Sequence, residues 1–147
     1  MTEAGSVLFV DDDPNWVELL RLAFGRIGMR NPIQGVADGS EAIRYLRGEG
    51  RYADRTAHPL PVLALVDLRL PGMPGFELLE WIRQQPELAR LAVVVITGMA
   101  APGDTHRAQE LGATGFMLKP FSFDKQVELA RRIRANWLQP VRQLAKA

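Results

Sequence analysis

Ala64-Leu65-Val66-Asp67-Leu68-Arg69-Leu70-Pro71-Gly72 sets the frame for the whole chain. The apolar run from Val62 to Val66, with Pro61 before it, has the composition of a strand buried on both faces. A carboxylate stands where that strand ends, and Pro71-Gly72 then break the chain. In an open parallel sheet, ligands collect at the carboxyl ends of the strands. Asp67 is therefore either a cap or a reactive group, and the other strand ends bear on which.

Toward the N-terminus, Val7-Leu8-Phe9-Val10 is a second continuous apolar run, stopped by Asp11-Asp12-Asp13-Pro14. From Trp16 to Ile27 the pattern turns helical, with Val17, Leu20, Phe24 and Ile27 on one stripe. Pro14 suits its first turn, Asp13 its cap, and Gly28 its end. A weakly marked strand lies near Ile33 to Ala37, and Asp38-Gly39-Ser40 lead into a helix bearing Ala42, Ile43 and Leu46. Residues 48 to 61 are polar, with two glycines and two prolines, and read as a long exposed loop.

Beyond Asp67, Phe76, Leu79 and Ile82 mark a helix opened after Pro74-Gly75. Ala92-Val93-Val94-Val95-Ile96 is the most strand-like run and stops at Thr97-Gly98. A loop over Ala101 to Gly103 precedes a short helix from Asp104 to Leu111, ended by Gly112. Gly115-Phe116-Met117-Leu118 is a fifth strand stopped by Lys119-Pro120, and Ser122 caps a last helix carrying Val127, Ala130, Ile133 and Trp137. Five strands alternating with five helices predict an α/β fold: a doubly wound five-stranded parallel sheet, flavodoxin-like order 2-1-3-4-5, with helices on both faces. A closed eight-stranded barrel needs a longer chain.

The chain has 147 residues, 47% hydrophobic and 24% charged, which is ordinary for one globular domain. A net charge of +1 gives no reason to expect direct nucleic-acid binding or an anionic membrane as partner. With no cysteine, disulfides, thiolate chemistry and Cys-ligated zinc are excluded. The polar start, Met1 to Ser6, followed by only four apolar residues, is neither a signal peptide nor a membrane span. A cytoplasmic protein is the plain reading.

Four strands end alike, in an apolar run followed by a polar group. The groups are Asp11, Asp12 and Asp13; then Asp67; then Thr97; then Lys119. In the order 2-1-3-4-5 the acids and Thr97 are each roughly 5 Å from Asp67, one strand away on either side. Lys119 lies two strands off, within reach of a long side chain. Carboxylates held so close raise one another's pKa unless a cation joins them. Lys119 supplies one charge, and a divalent ion, best Mg2+ given oxygen-only ligands, supplies the rest. Asp67 would then be placed as a nucleophile toward phosphorus, with Thr97 and Lys119 on the phosphoryl oxygens.

Four segments carry a resemblance: Val10-Asp11-Asp12-Asp13-Pro14, Val66-Asp67-Leu68-Arg69-Leu70-Pro71-Gly72, Val95-Ile96-Thr97-Gly98 and Phe116-Met117-Leu118-Lys119-Pro120-Phe121. In order and spacing the set resembles the receiver domain of two-component response regulators, from Val7 to Leu138. The resemblance implies that Asp11 holds magnesium through water and Asp12 directly, that Asp67 is the phosphoacceptor, and that the Arg69 backbone carbonyl completes the metal's ligands. It further implies Thr97 as switch hydroxyl, Lys119 as phosphate-pairing lysine, Phe116 as switch aromatic, and a cis Lys119–Pro120 peptide. For Phe116, core packing and switching are compatible.

The implied partner is a sensor histidine kinase or a phosphotransfer protein. The loop over 48 to 61 and Trp137-Leu138-Gln139-Pro140 resemble the stand-alone receivers that partner phytochrome-like histidine kinases, some of which are homodimers. Residues 1–138 then form the receiver and 139–147 a tail too short for an effector domain. The series Ala130, Ile133, Trp137, Val141 and Leu144 serves equally as a dimer seam or as a tail packed on its own domain, and Pro140 should end or kink the helix. His58 and His106 have no ligand-spaced partners.

The alternative from another class is a haloacid-dehalogenase-like phosphatase with Asp11 as nucleophile and Asp13 as the second acid. Asn15 stands where that family has Thr or Val, and its late acidic pair and cap domain are missing. A flavin-binding flavodoxin lacks support for want of Ser/Thr/Gly phosphate loops after the first strand. Labelling separates the first two: Asp67 for a receiver, Asp11 for the phosphatase.

Overall fold

A computed structural model describes residues 5–138. Its strands are β1 (Ser6–Val10), β2 (Ile33–Val36), β3 (Pro61–Val66), β4 (Ala92–Thr97) and β5 (Gly115–Leu118). Between and after them come the helices α1 (Pro14–Arg26), α2 (Gly39–Arg47), α3 (Gly75–Arg83), α4 (Asp104–Glu110) and α5 (Phe123–Ile133). All neighbouring strands are parallel and the order is β2-β1-β3-β4-β5, as expected.

Period-two alternation sends the β1 side chains into two cores. Val7 and Phe9, with Leu63 and Leu65, face α1 and α5, meeting Leu20, Phe24, Ala130 and Ile133. Leu8 and Val10, with Ala64 and Val66, face α2 and α3, meeting Tyr45, Leu46, Leu79 and Ile82. Each such buried large apolar side chain contributes about 1.5–3 kcal/mol, so a sheet covered on both faces is strongly held. The central strands are the most deeply buried, while Val62 at the start of β3 is 43% exposed and the outer strands β2 and β5 are only partly buried.

Local sequence fixes the helix ends. The Asp13 carboxylate accepts from the amides of Asn15 and Trp16, and Asp38 and Ser122 cap α2 and α5 in the same manner. On α1 the buried stripe is Trp16, Leu20, Ala23 and Phe24, so Trp16 takes the place expected of Val17. On α2, Tyr45 is buried where Ile43 was expected. After α5 the chain widens into a π turn over Arg134–Leu138, and the Arg134 guanidinium donates to the Ile27 carbonyl that ends α1.

The segment 48–61, expected as an exposed loop, is mostly exposed but is anchored at Tyr52 and Arg55, and its last residue, Pro61, opens β3. A 3-10 turn over Gly50–Tyr52 buries Tyr52, whose ring packs tilted against that of Tyr45 with centroids 4.9 Å apart. The Arg55 guanidinium donates to the carbonyls of Tyr45, Leu46 and His58. One aromatic and one arginine thus pin a polar segment whose composition alone indicates exposure. The Lys119–Pro120 peptide is trans, correcting the cis expectation; trans is the ordinary X–Pro state by about 0.5–1 kcal/mol. The possible seam through Val141 and Leu144, and the kink at Pro140, lie outside the described residues.

Candidate functional site

Three strands deliver the polar groups through a continuation of the sheet ladder. The Asp11 amide donates to the Val36 carbonyl, that of Asp67 to Val10, and that of Lys119 to Thr97. Each residue therefore stands one step beyond its strand, at the carboxyl edge. Behind Asp67 the chain folds back tightly. An ideal Cβ on Gly75 would lie 2.3 Å from the Asp67 carbonyl oxygen, so only glycine permits α3 to start there.

Asp11 and Asp67 are held in the same fashion. One oxygen of each accepts a backbone amide two residues on, Asp13 at 2.9 Å and Arg69 at 3.1 Å. The other oxygen of each meets the Lys119 ammonium, at 2.7 Å from Asp11 and 2.9 Å from Asp67. Asp11 and Asp67 are buried, and the Lys119 side chain is part-buried at 15% exposed. Asp12 is exposed, and one oxygen from each of Asp11, Asp12 and Asp67 falls within 4.8 Å of the others. Asp13 caps α1.

Burial pushes the Asp11 carboxyl above its ordinary range; the Lys119 ammonium and the Asp13 amide oppose this, and the Asp67 charge reinforces it. For Lys119 burial acts downward, but its bonds to Asp11 and Asp67 outweigh it and hold the ammonium above its ordinary value. The site therefore sets three carboxylates against one firmly charged ammonium. An oxygen-only cluster with that charge fits a hard divalent cation. Among the described residues no other group of acids and histidines has such spacing.

Thr97 is fully buried at the end of β4, and its hydroxyl donates to the Met99 carbonyl at 3.2 Å. It lines one cleft with Asp12, Asp67, Arg69, Met99 and Lys119. The Arg69 guanidinium reaches the same Met99 carbonyl at 3.3 Å. Phe116 pairs with Val95 across the β4–β5 ladder, two residues from the Thr97 pairing, and so shares a sheet face with Thr97. It is half-buried against Leu68, Val95 and Ala108. His106 pairs with Glu110 and His58 sits edge-on to Tyr45 and Tyr52, so neither belongs to the cluster.

Sequence reasoning missed Trp16. Its ring is 8% exposed and lies 5.1 Å from the Lys119 ammonium, beneath Asp11 and Asp67. The available signal was an indole three residues after the acidic triplet, on the first turn of a helix whose cap is one of those acids. Gly75 was noted only as a helix opener; its closeness to Asp67 is a long-range fact that periodicity cannot reveal.

The response regulator receiver domain family matches residues 7–132. A probable methanogenesis regulatory protein, FilR2 of Methanothrix harundinacea, is 33% identical over 90% of this chain and 83% of its own length. Response regulator Rcp1 of Synechocystis is 33% identical over 71% of this chain and 69% of its own. The longer regulator GltR of Pseudomonas aeruginosa is also 33% identical, and the chain spans 48% of it.

Among solved structures, the phosphorylated cyanobacterial phytochrome response regulator RcpA superposes with a TM-score of 0.83 at 29% identity, over 92% of this chain and 94% of that one. The response regulator RPA3017 of R. palustris, described as acting in red light signaling, has a TM-score of 0.85 at 25% identity, over 92% and 95%. The phosphatase alternative built on Asp11 finds no support in these relatives. Among the described residues no helix is long and apolar enough to cross a membrane. With five parallel strands in the matching order and an acidic carboxyl edge, the chain belongs to the response regulator receiver domain family.

Proposed function

We propose that Asp67 accepts a phosphoryl group from a partner kinase's phosphohistidine or from a small phosphodonor, with Mg2+ as cofactor. The observation that carries this is the pairing of the Asp67 carboxylate with the Lys119 ammonium at 2.9 Å, inside a cluster of three acids. An Asp67 oxygen attacks phosphorus and the donor's bond to phosphorus breaks, its electron pair leaving on the imidazole nitrogen of a phosphohistidine or on the carboxylate oxygen of an acyl phosphate. Asp11, Asp12, Asp67 and the Arg69 backbone carbonyl would hold the magnesium, which supplies positive charge for the phosphoryl oxygens. Lys119 pairs with one phosphoryl oxygen, and the Thr97 hydroxyl leaves the Met99 carbonyl to donate to another.

Once Thr97 has moved, Phe116 turns into the space beside it, and the surface of α4, β5 and α5 changes. Phosphorylation then biases two pre-existing states of that surface. Leu118, 57% exposed on β5, would be part of what a partner or a second copy meets. The chain acts as a phosphoacceptor rather than a turnover enzyme, with dephosphorylation of its own Asp67 as its one hydrolytic step.

The named neighbours RcpA and RPA3017 support a phytochrome-like sensor histidine kinase as partner, or a phosphotransfer protein downstream of one. A cytoplasmic location, a receiver over residues 1–138 and a tail over 139–147 complete the reading. Incubation with acetyl phosphate and Mg2+, followed by peptide mapping, tests it. A single acid-stable, base-labile phosphate on Asp67, absent in Asp67→Asn, is the expected result. Label on Asp11 in the wild-type chain would sink it.

A further inference from the structure

We propose that Trp16 is a positioning residue: its indole face is the seat of the Lys119 ammonium and fixes where that cation meets the phosphoryl group. This rests on the reading of Asp67 as phosphoacceptor. The ammonium lies 5.1 Å from the ring centroid and is simultaneously 2.7 Å from Asp11 and 2.9 Å from Asp67. An ammonium over an indole face is attracted by the ring's quadrupole, more so where water is excluded. Here much of the water is displaced, since Trp16 is 8% exposed and the Lys119 side chain 15%.

The seat is built into the metal-side loop. The Trp16 amide donates to the Asp13 carboxylate, and the Asp13 amide donates to the Asp11 carboxylate. Cap, acid and indole are thus joined by two hydrogen bonds within six residues, and Leu20 and Phe9 pack beside the ring. A flexible lysine stem, reaching from the end of β5 to carboxylates that follow β1 and β3, would otherwise sample many rotamers. The ring limits that sampling from below while the two carboxylates hold the cation from the side. When Asp67 is phosphorylated, its own contact with the ammonium is exchanged for one to a phosphoryl oxygen, while the indole face is a contact that need not change.

The experiment measures phosphorylation of Asp67 by acetyl phosphate in the full chain with Mg2+, as rate against donor concentration, with folding checked by urea denaturation. Fluorinated tryptophans placed at position 16 alone keep the shape of the ring while weakening its quadrupole. The maximal rate should fall stepwise with each added fluorine, to a total of roughly 3- to 30-fold, with donor half-saturation nearly constant. In parallel, Trp16→Phe should retain more activity than Trp16→Leu, and Trp16→Leu should have little further effect in a Lys119→Gln chain, because the indole acts through the ammonium. A flat fluorine series, or an equal loss from Trp16→Leu with and without Lys119, would make the ring mere packing and overturn the proposal. If the wild-type chain takes no label on Asp67, the parent reading fails instead, which is a different result from labelling that ignores Trp16.

Discussion

The Lys119 ammonium touches two buried carboxylates and an indole face at once, so its charge does several jobs. Removing it leaves Asp11 and Asp67 facing each other without a counter-ion. Lys119→Gln should therefore cost about 3 kcal/mol of stability at neutral pH with the metal chelated. The loss should shrink on adding Mg2+, and shrink again once acid protonates the carboxylates, because either change removes the repulsion. Urea titrations across those conditions check both signs. Gly75 makes a second test through sterics alone. Gly75→Ala pushes a methyl against the Asp67 carbonyl and the Leu68 Cα, at 2.3 and 2.8 Å, and both neighbours are backbone. A loss of about 2–3 kcal/mol is expected, together with weaker labelling of Asp67, since the same loop carries the acceptor. The acids and Lys119 were legible as strand-end residues because each follows an apolar run; Trp16 and Gly75 were not, because their contacts cross between elements.

Strands and caps were legible for a related reason: they depend on short-range composition. Asp13 and Ser122 each cap the helix that their position suggested, and Asp38 in the turn before α2 does the same. Which apolar residue on a helix is buried depends on the neighbouring element instead, and so Tyr45 displaced Ile43. The segment after α2 shows the point most clearly. Burial alone would raise the Glu41 carboxyl, but the Tyr52 hydroxyl, the Ala37 amide and the Arg51 guanidinium outweigh it and hold it below its ordinary value of 4.5. A carboxyl lowered on folding adds stability that is complete above its unfolded pKa and is lost as pH falls through the folded one. Glu41→Gln should then destabilise by roughly 1 kcal/mol at neutral pH, with the difference from wild type fading below about pH 4.5. Unfolding of both chains at pH 7 and pH 3 measures it. The Arg51 guanidinium is 72% exposed, so salt should weaken only its share.

Over the whole molecule, one end of the sheet collects like charge and the rest of the fold tolerates it. Chain order alone predicted this, since right-handed crossovers in a 2-1-3-4-5 sheet bring the ends of β1, β3, β4 and β5 to one edge. The charged edge also predicts how stability depends on metal. A cation that binds only the folded chain adds stability as RT ln(1 + [Mg2+]/Kd), about 2.7 kcal/mol at a hundred times Kd, which for a domain of this size is roughly 5–10 °C in Tm. Asp12 is exposed and faces two buried acids, so Asp12→Asn should act in opposite directions in the two conditions. With chelator it removes a repulsion and leaves the chain as stable as wild type or a few tenths of a kcal/mol more so. With saturating Mg2+ it removes a ligand and leaves the chain less stable, so the two melting curves exchange order as metal is added. Curves for wild type and Asp12→Asn that shift together, or wild-type curves that ignore Mg2+, would mean that the acids at this edge are balanced by Lys119 alone.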